Sequence, residues 1–208
     1  YDEGVDFLRR AVERYEAQGE PDEDLSLLRN DLAVALHYQG ALDRAIEVHH
    51  SALALREKLV GAEHPLVAQS LDNLSQVHYD RGDYEDAERL SRRALEIRRR
   101  TLASDHLDIA RNENGLANVL ATTDRDEEAV PLYRHALEIM EQRLGPEHPM
   151  TGMVQSSLGT VLVDLGQVDD GLALFRRALE LEIATRGEDH PSMVLSRSQF
   201  GSTLTQVE

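Results

Sequence analysis

The chain contains no cysteine, which excludes disulfides, thiolate metal sites and cysteine nucleophiles. It has no tryptophan and only 4% aromatic residues against 41% hydrophobic ones, so its core is expected to be Leu, Ala, Val and Ile, the usual filling of packed helices. Lysine is nearly absent too, with Lys58 alone beside 21 arginines. No apolar run approaches the roughly 18 residues of a membrane span, and no signal-peptide pattern follows Tyr1. Basic residues are the minority, 22 against 39 acidic ones, for a formal net charge of −17 over 208 residues. Such a field repels nucleic-acid phosphates and anionic membranes, so neither is expected as a partner. A cytoplasmic location is expected.

What the chain does have is a period. His64, His106, His148 and His190 lie 42 residues apart. They sit in Gly61-Ala62-Glu63-His64-Pro65, the degraded Ala103-Ser104-Asp105-His106-Leu107, Gly145-Pro146-Glu147-His148-Pro149 and Gly187-Glu188-Asp189-His190-Pro191. Columns far from this signature keep the same spacing: Leu32, Leu74, Leu116, Leu158 and Phe200 form one, and Ala45, Ala87, Ala129 and Gly171 another. A third holds Gly40, Gly82 and Gly166, with Asp124 in the odd repeat. Self-similarity of this length is the mark of a stacked-repeat architecture.

Within one repeat, Val67, Leu71, Leu74 and Val77 or His78 fall at three- and four-residue spacing over 65–81, one face of a helix. This is helix A. Gly82-Asp83 breaks it, and Ala87, Leu90, Ala94, Leu95 and Ile97 mark helix B over 84–100. The expected fold is therefore all-α, a right-handed superhelical solenoid of antiparallel helix hairpins with about ten helices. One domain spans 1–208: a half repeat at 1–18, full repeats at 19–60, 61–102, 103–144 and 145–186, and a half repeat at 187–208. An array that begins and ends in mid-repeat is expected to be excised from a longer protein or to pair end to end. A looser or re-angled joint is expected near 103–107 and 124–126, where Ala103, Leu107 and Asp124 replace the usual Gly, Pro and Gly.

The residues at 71–102, LDNLSQVHYDRGDYEDAERLSRRALEIRRRTL, and at 131–149, PLYRHALEIMEQRLGPEHP, resemble tetratricopeptide repeats. More narrowly, the 42-residue form resembles the repeats of kinesin light chains and similar arrays in bacterial signalling and NTPase-linked proteins. The resemblance covers nearly the whole chain and implies a binding solenoid whose partner varies from member to member.

The recurring histidine reads as punctuation between repeats. Pro at the first helical position loses no hydrogen bond, the preceding acid suits the helix dipole, and Gly suits the end of the previous helix in a left-handed conformation. The imidazole is expected to pack in the turn and donate to a neighbouring carbonyl. Zinc ligands must meet within about 2.1 Å of one ion, whereas packed helices stand roughly 8–10 Å apart, so one His per repeat is not a metal site. The neighbours His49 and His50 point about 100° apart on a helix, so at least one is expected on the surface. The basic run at 92–100 is expected to be a solvated face paired to nearby acids. No nucleotide-loop, hydrolase-elbow or zincin motif is present, so no catalytic, cofactor or metal residue is assigned and the chain is not expected to be an enzyme.

Function is expected on the concave face, where the A helices turn polar side chains outward. The candidate groove is Asn30, Asp31, Gln69, Asp72, Asn73, Gln76, Arg111, Asn114, Asn118, Ser156 and Thr160, extended by Val34, His37, Tyr79, Ala121, Met153, Ser157 and Asp164, and further by Ser198, Gln199 and Ser202. Amides can donate to and accept from a peptide backbone. With Asp31, Asp72, Asp80 and Asp164 nearby and Arg111 the lone base, a neutral or basic peptide with apolar anchors is the expected ligand. The expected role is a non-enzymatic protein–protein interaction scaffold, a regulatory or adaptor segment of a larger protein. A signalling-peptide receptor, a self-assembling spacer and a catalytic solenoid are the alternatives.

Overall fold

The computed structural model describes residues 2–17, 19 and 22–187 of the chain, and every regular element among them is an α-helix. In chain order these are α1 (Asp2–Glu16), α2 (Glu23–Tyr38), α3 (Leu42–Val60), α4 (Pro65–Arg81), α5 (Tyr84–Thr101), α6 (Leu107–Thr122), α7 (Asp126–Leu144), α8 (Pro149–Asp164) and α9 (Val168–Arg186). Helices α2, α4, α6 and α8 are the A helices of the repeats, and α3, α5, α7 and α9 the B helices. The tenth helix expected over 191–207, with Ser198, Gln199 and Ser202, lies outside the described residues.

The helices fall into two compact units, Tyr1–Ala103 and Ser104–Glu208. In the first, α2 packs on α3 and α4 on α5, with α3 against α4 and α1 against α2. In the second, α6 packs on α7 and α8 on α9, with α7 against α8. The division falls in the one loop whose Gly and Pro are replaced.

Small side chains let each A helix sit close to its B helix. Ala33, Ala45, Ala87, Ala117 and Ala129 are completely buried, and Ser75 donates from Oγ to the Ala87 carbonyl at 2.7 Å. The last hairpin goes furthest: a Cβ on Gly171 would lie 2.6 Å from Val163 Cγ2 and 2.7 Å from the Gly159 carbonyl oxygen. Around these crossings the leucine column closes the core, with Leu32, Leu74, Leu116 and Leu158 all buried.

The repeated histidine is a helix cap, but of the opposite polarity to the one expected. Nδ1 of His64, His106 and His148 accepts a hydrogen bond from the backbone N–H two residues on, at 3.2, 3.1 and 3.2 Å. The first turn of a helix has unpaired N–H groups and no unpaired carbonyl, so a ring lone pair is what the position can use. Each cap thereby places the imidazole proton on Nε2. The glycines before these caps also differ from expectation: Gly61 and Gly145 combine φ of 88° and 93° with ψ of 154° and 157°, an extended positive-φ region that side chains exclude.

At the turns inside the hairpins, Gly40, Gly82 and Gly166 have φ of 80°, 89° and 77°, and Asp124 is the one non-glycine residue with positive φ, 56°, among the described residues. The left-handed region costs an L-residue about 1 kcal/mol or more. Asp124→Gly is therefore expected to raise stability by about 1 kcal/mol, read as a higher urea midpoint at unchanged slope.

Candidate functional site

In the first unit, the candidate residues on α2 and α4 are largely committed to one another or to the helices behind them. Asn73 donates from Nδ2 to Asn30 Oδ1 at 2.9 Å, and Asn30 is only 9% exposed rather than open to the groove. Gln76 donates to Asp80 at 3.0 Å, and the other oxygen of Asp80 meets His37 Nε2 at 2.5 Å. Asp72 is ion-paired with Arg98. Asp31 is exposed.

Two arginines from the B helices build the floor of this face, and the sequence reading missed both. Arg56, 1% exposed, donates from Nη1 to the Leu66 carbonyl at 3.0 Å, to Ser70 Oγ at 2.7 Å and to Gln69 Oε1 at 3.3 Å. Burial pulls its pKa below the usual arginine value, against the opposing charges of Asp31 and Glu23. Arg98 is buried as well, which corrects the expectation of a wholly solvated basic run. Its neighbours do form surface pairs: Arg92 with Glu88, Arg93 with Glu57, and Arg100 with Glu63 and Glu96. The signal was available, since Arg56 and Arg98 share one column of the 42-residue period.

The second unit carries a different face on α6 and α8. Arg111 pairs with Asp108 at 3.0 Å. Asn118 Oδ1 accepts from the Tyr133 hydroxyl at 2.6 Å, and Thr160 donates from Oγ1 to the Ser156 carbonyl at 3.2 Å. Asn114 is the exception: its Oδ1 is buried without a hydrogen-bond partner. The period explains why. Asn114 and Met140 stand 42 residues after Asp72 and Arg98, so the helix behind Asn114 offers a thioether where the earlier repeat offers a guanidinium. In the next repeat, on the same column as Arg111, Met153 is 68% exposed.

Further polar groups are buried, Glu113 and His49 among them. Glu113 is completely buried and accepts from or shares a proton with His135 Nδ1 at 2.6 Å, tying α6 to α7. His49 on α3 is 1% exposed, with neither ring nitrogen partnered. Among the described residues, no three His, Asp or Glu side chains are grouped so as to hold a metal ion, and no helix is long and apolar enough to cross a membrane.

The sequence profile of the tetratricopeptide repeat matches residues 23–100, 76–142 and 108–181. No curated protein matches the chain. Among solved structures it is similar to the nearly identical TPR-like repeats of a Podosopora anserina protein designated a kinesin light chain, with 22% identity and a TM-score of 0.73, covering 89% of this chain and 88% of that one. It is also similar to BtubC (BKLC) from P. vanneervenii, with 20% identity and a TM-score of 0.83 over 98% of this chain and 83% of that one. At these identities the likeness carries the fold.

Proposed function

We propose, from the premise that the chain belongs to the tetratricopeptide repeat family, that it is a non-enzymatic scaffold whose A helices take up a peptide of a partner protein. Repeats of this family generally mediate protein–protein interaction, and the array reads as one regulatory or adaptor segment of a larger protein. The observation that carries the finer reading is the buried, unpartnered Oδ1 of Asn114 on the A-helix face of the second unit. A buried acceptor without a donor costs about 1–3 kcal/mol, and a peptide backbone N–H would relieve it once the Asn114 side chain turns outward. The exposed Met153 on α8 suits an apolar side chain of the same peptide. Asp72 is ion-paired with Arg98, and Asp80 is engaged by His37 and Gln76, which leaves Asp31 and Asp164 as the exposed acids among those named for the A helices. The preferred peptide is therefore neutral or basic, with an apolar anchor.

A peptide-display screen on the chain tests this. One enriched motif is expected, and Asn114→Ala should weaken it about five- to tenfold, the worth of one hydrogen bond. Added salt should have little effect on a neutral motif. Enrichment of acidic peptides that salt displaces would refute the reading.

A further inference from the structure

A hollow of about 390 Å³ opens on the second unit, lined by Glu141 of α7, Glu147 of the α7–α8 loop, Gln155 of α8, and Arg177, Glu180 and Ala184 of α9, among others. Its only member on an A helix is Gln155, so it is separate from the peptide face proposed above. Gln155 is 3% exposed; its Nε2 donates to Glu141 at 3.4 Å, and its Oε1 is buried with no partner. Three carboxylates thus surround one guanidinium and one orphaned acceptor.

The first unit shows what the same positions hold two repeats earlier. Counting back 84 residues, they are Glu57, Glu63, Leu71, Arg93, Glu96 and Arg100. There Arg100 lies between two carboxylates, with Nη1 2.7 Å from Glu63 and Nη2 paired to Glu96, while Arg93 reaches Glu57 at 2.5 Å. In the second unit both carboxylates remain, as Glu147 and Glu180, but Ala184 replaces the arginine between them. The apolar floor of Leu71 has also become the amide of Gln155. Among the described residues nothing forms an ion pair with Glu147 or Glu180.

We infer that this hollow binds a guanidinium group supplied from outside the chain, seated between Glu147 and Glu180 as Arg100 is seated between Glu63 and Glu96. A planar guanidinium can give separate N–H arms to two carboxylates and a third to Gln155 Oε1. An ammonium ion is a point charge that cannot span them in the same way. A divalent metal is disfavoured because these acids do not converge. The end of α7 at Leu144 adds the negative pole of a helix dipole beside the site. Arg177 also lines the hollow, but its one positive charge stands against three carboxylates, which leaves a net negative field for the incoming group.

The test is a titration of the ¹⁵N-labelled chain with capped arginine at constant ionic strength, following the Gln155 side-chain amide by NMR. A saturable shift is expected, with a Kd on the order of millimolar for so small a probe, and capped citrulline, which lacks the charge, should give none. Ala184→Arg supplies the missing guanidinium within the chain and should weaken capped arginine at least about tenfold; Gln155→Leu, which restores the apolar floor, should weaken it about fivefold. Tighter binding of an Ala-Arg-Ala peptide than of free arginine would assign the group to a partner protein, and the reverse to a small guanidine; either keeps the site. No saturation by about 50 mM, equal shifts with citrulline, or unchanged binding in Ala184→Arg would overturn it.

Discussion

Acidification from pH 6.5 to about 4 is expected to remove about 3 kcal/mol of stability through His49, and His49→Leu is expected to abolish that loss. Burial is the main force on this ring, pushing its pKa down from 6.5 to about 4, and the charges of His37, Arg56 and His50 act in the same direction. Between those two values the unfolded chain carries a proton on His49 and the folded chain does not. Stability is therefore fully present above pH 6.5 and falls as pH drops towards 4. Neither nitrogen has a partner to offset a charge. The equivalent hairpin position in the second unit shows what would satisfy it: Tyr133 bonds Asn118 there, whereas the Asn118 column holds Val34 in the hairpin of His49. Leu at 49 also removes an unsatisfied donor, so the variant should be more stable even at pH 7. Urea midpoints for both proteins at pH 7, 5.5 and 4.5 decide it. Parallel decline in the two would show that other groups govern the acid response.

Gly171→Ala is expected to destabilise the protein by about 2 kcal/mol, although alanine is the better helix former by about 1 kcal/mol. The added methyl group would meet the Gly159 carbonyl oxygen at 2.7 Å and Val163 Cγ2 at 2.6 Å. The valine could rotate away; the backbone oxygen can move only if α8 shifts from α9. Gly115→Ala is the matched control, since that glycine is also helical and has nothing within 4 Å of the new carbon. It should gain about 1 kcal/mol. Thermal unfolding that moves both variants in the same direction would mean that the α8–α9 crossing is not close-packed.

Much of this architecture was legible because the period repeats whatever is indispensable. Gly82, Ala87 and Leu74 sit where a left-handed turn, a close crossing and a core contact are needed, and each recurs in most repeats. What escaped the reading is what differs between repeats and depends on the helix opposite. Asn30 and Asn73 both read as groove amides, yet they bond each other. Asp72 read as a free acid, yet Arg98 lies behind it. The unpartnered acceptor of Asn114 follows only when its column is paired with that of Met140, a relation between two helices rather than a property of either. The histidine cap escaped for another reason: an imidazole can give or take a hydrogen bond, and only the geometry of the helix start selects taking.

The pairs inside the hairpins also bear on how such a chain finds its fold. Segments this alike can dock on the wrong neighbour, and misassembly is the characteristic hazard of repetitive proteins. Their apolar surfaces give little protection, because one leucine column fits another. The polar pairs do discriminate. Arg98 finds a carboxylate on α4, Tyr133 an amide on α6, and His135 the buried Glu113. Packing an A helix on the B helix of another hairpin would strand each of these groups against an unsuitable residue. The irregularities that interrupt the period thus act as keys, identifying each helix to its own companion while the regular columns supply the adhesion.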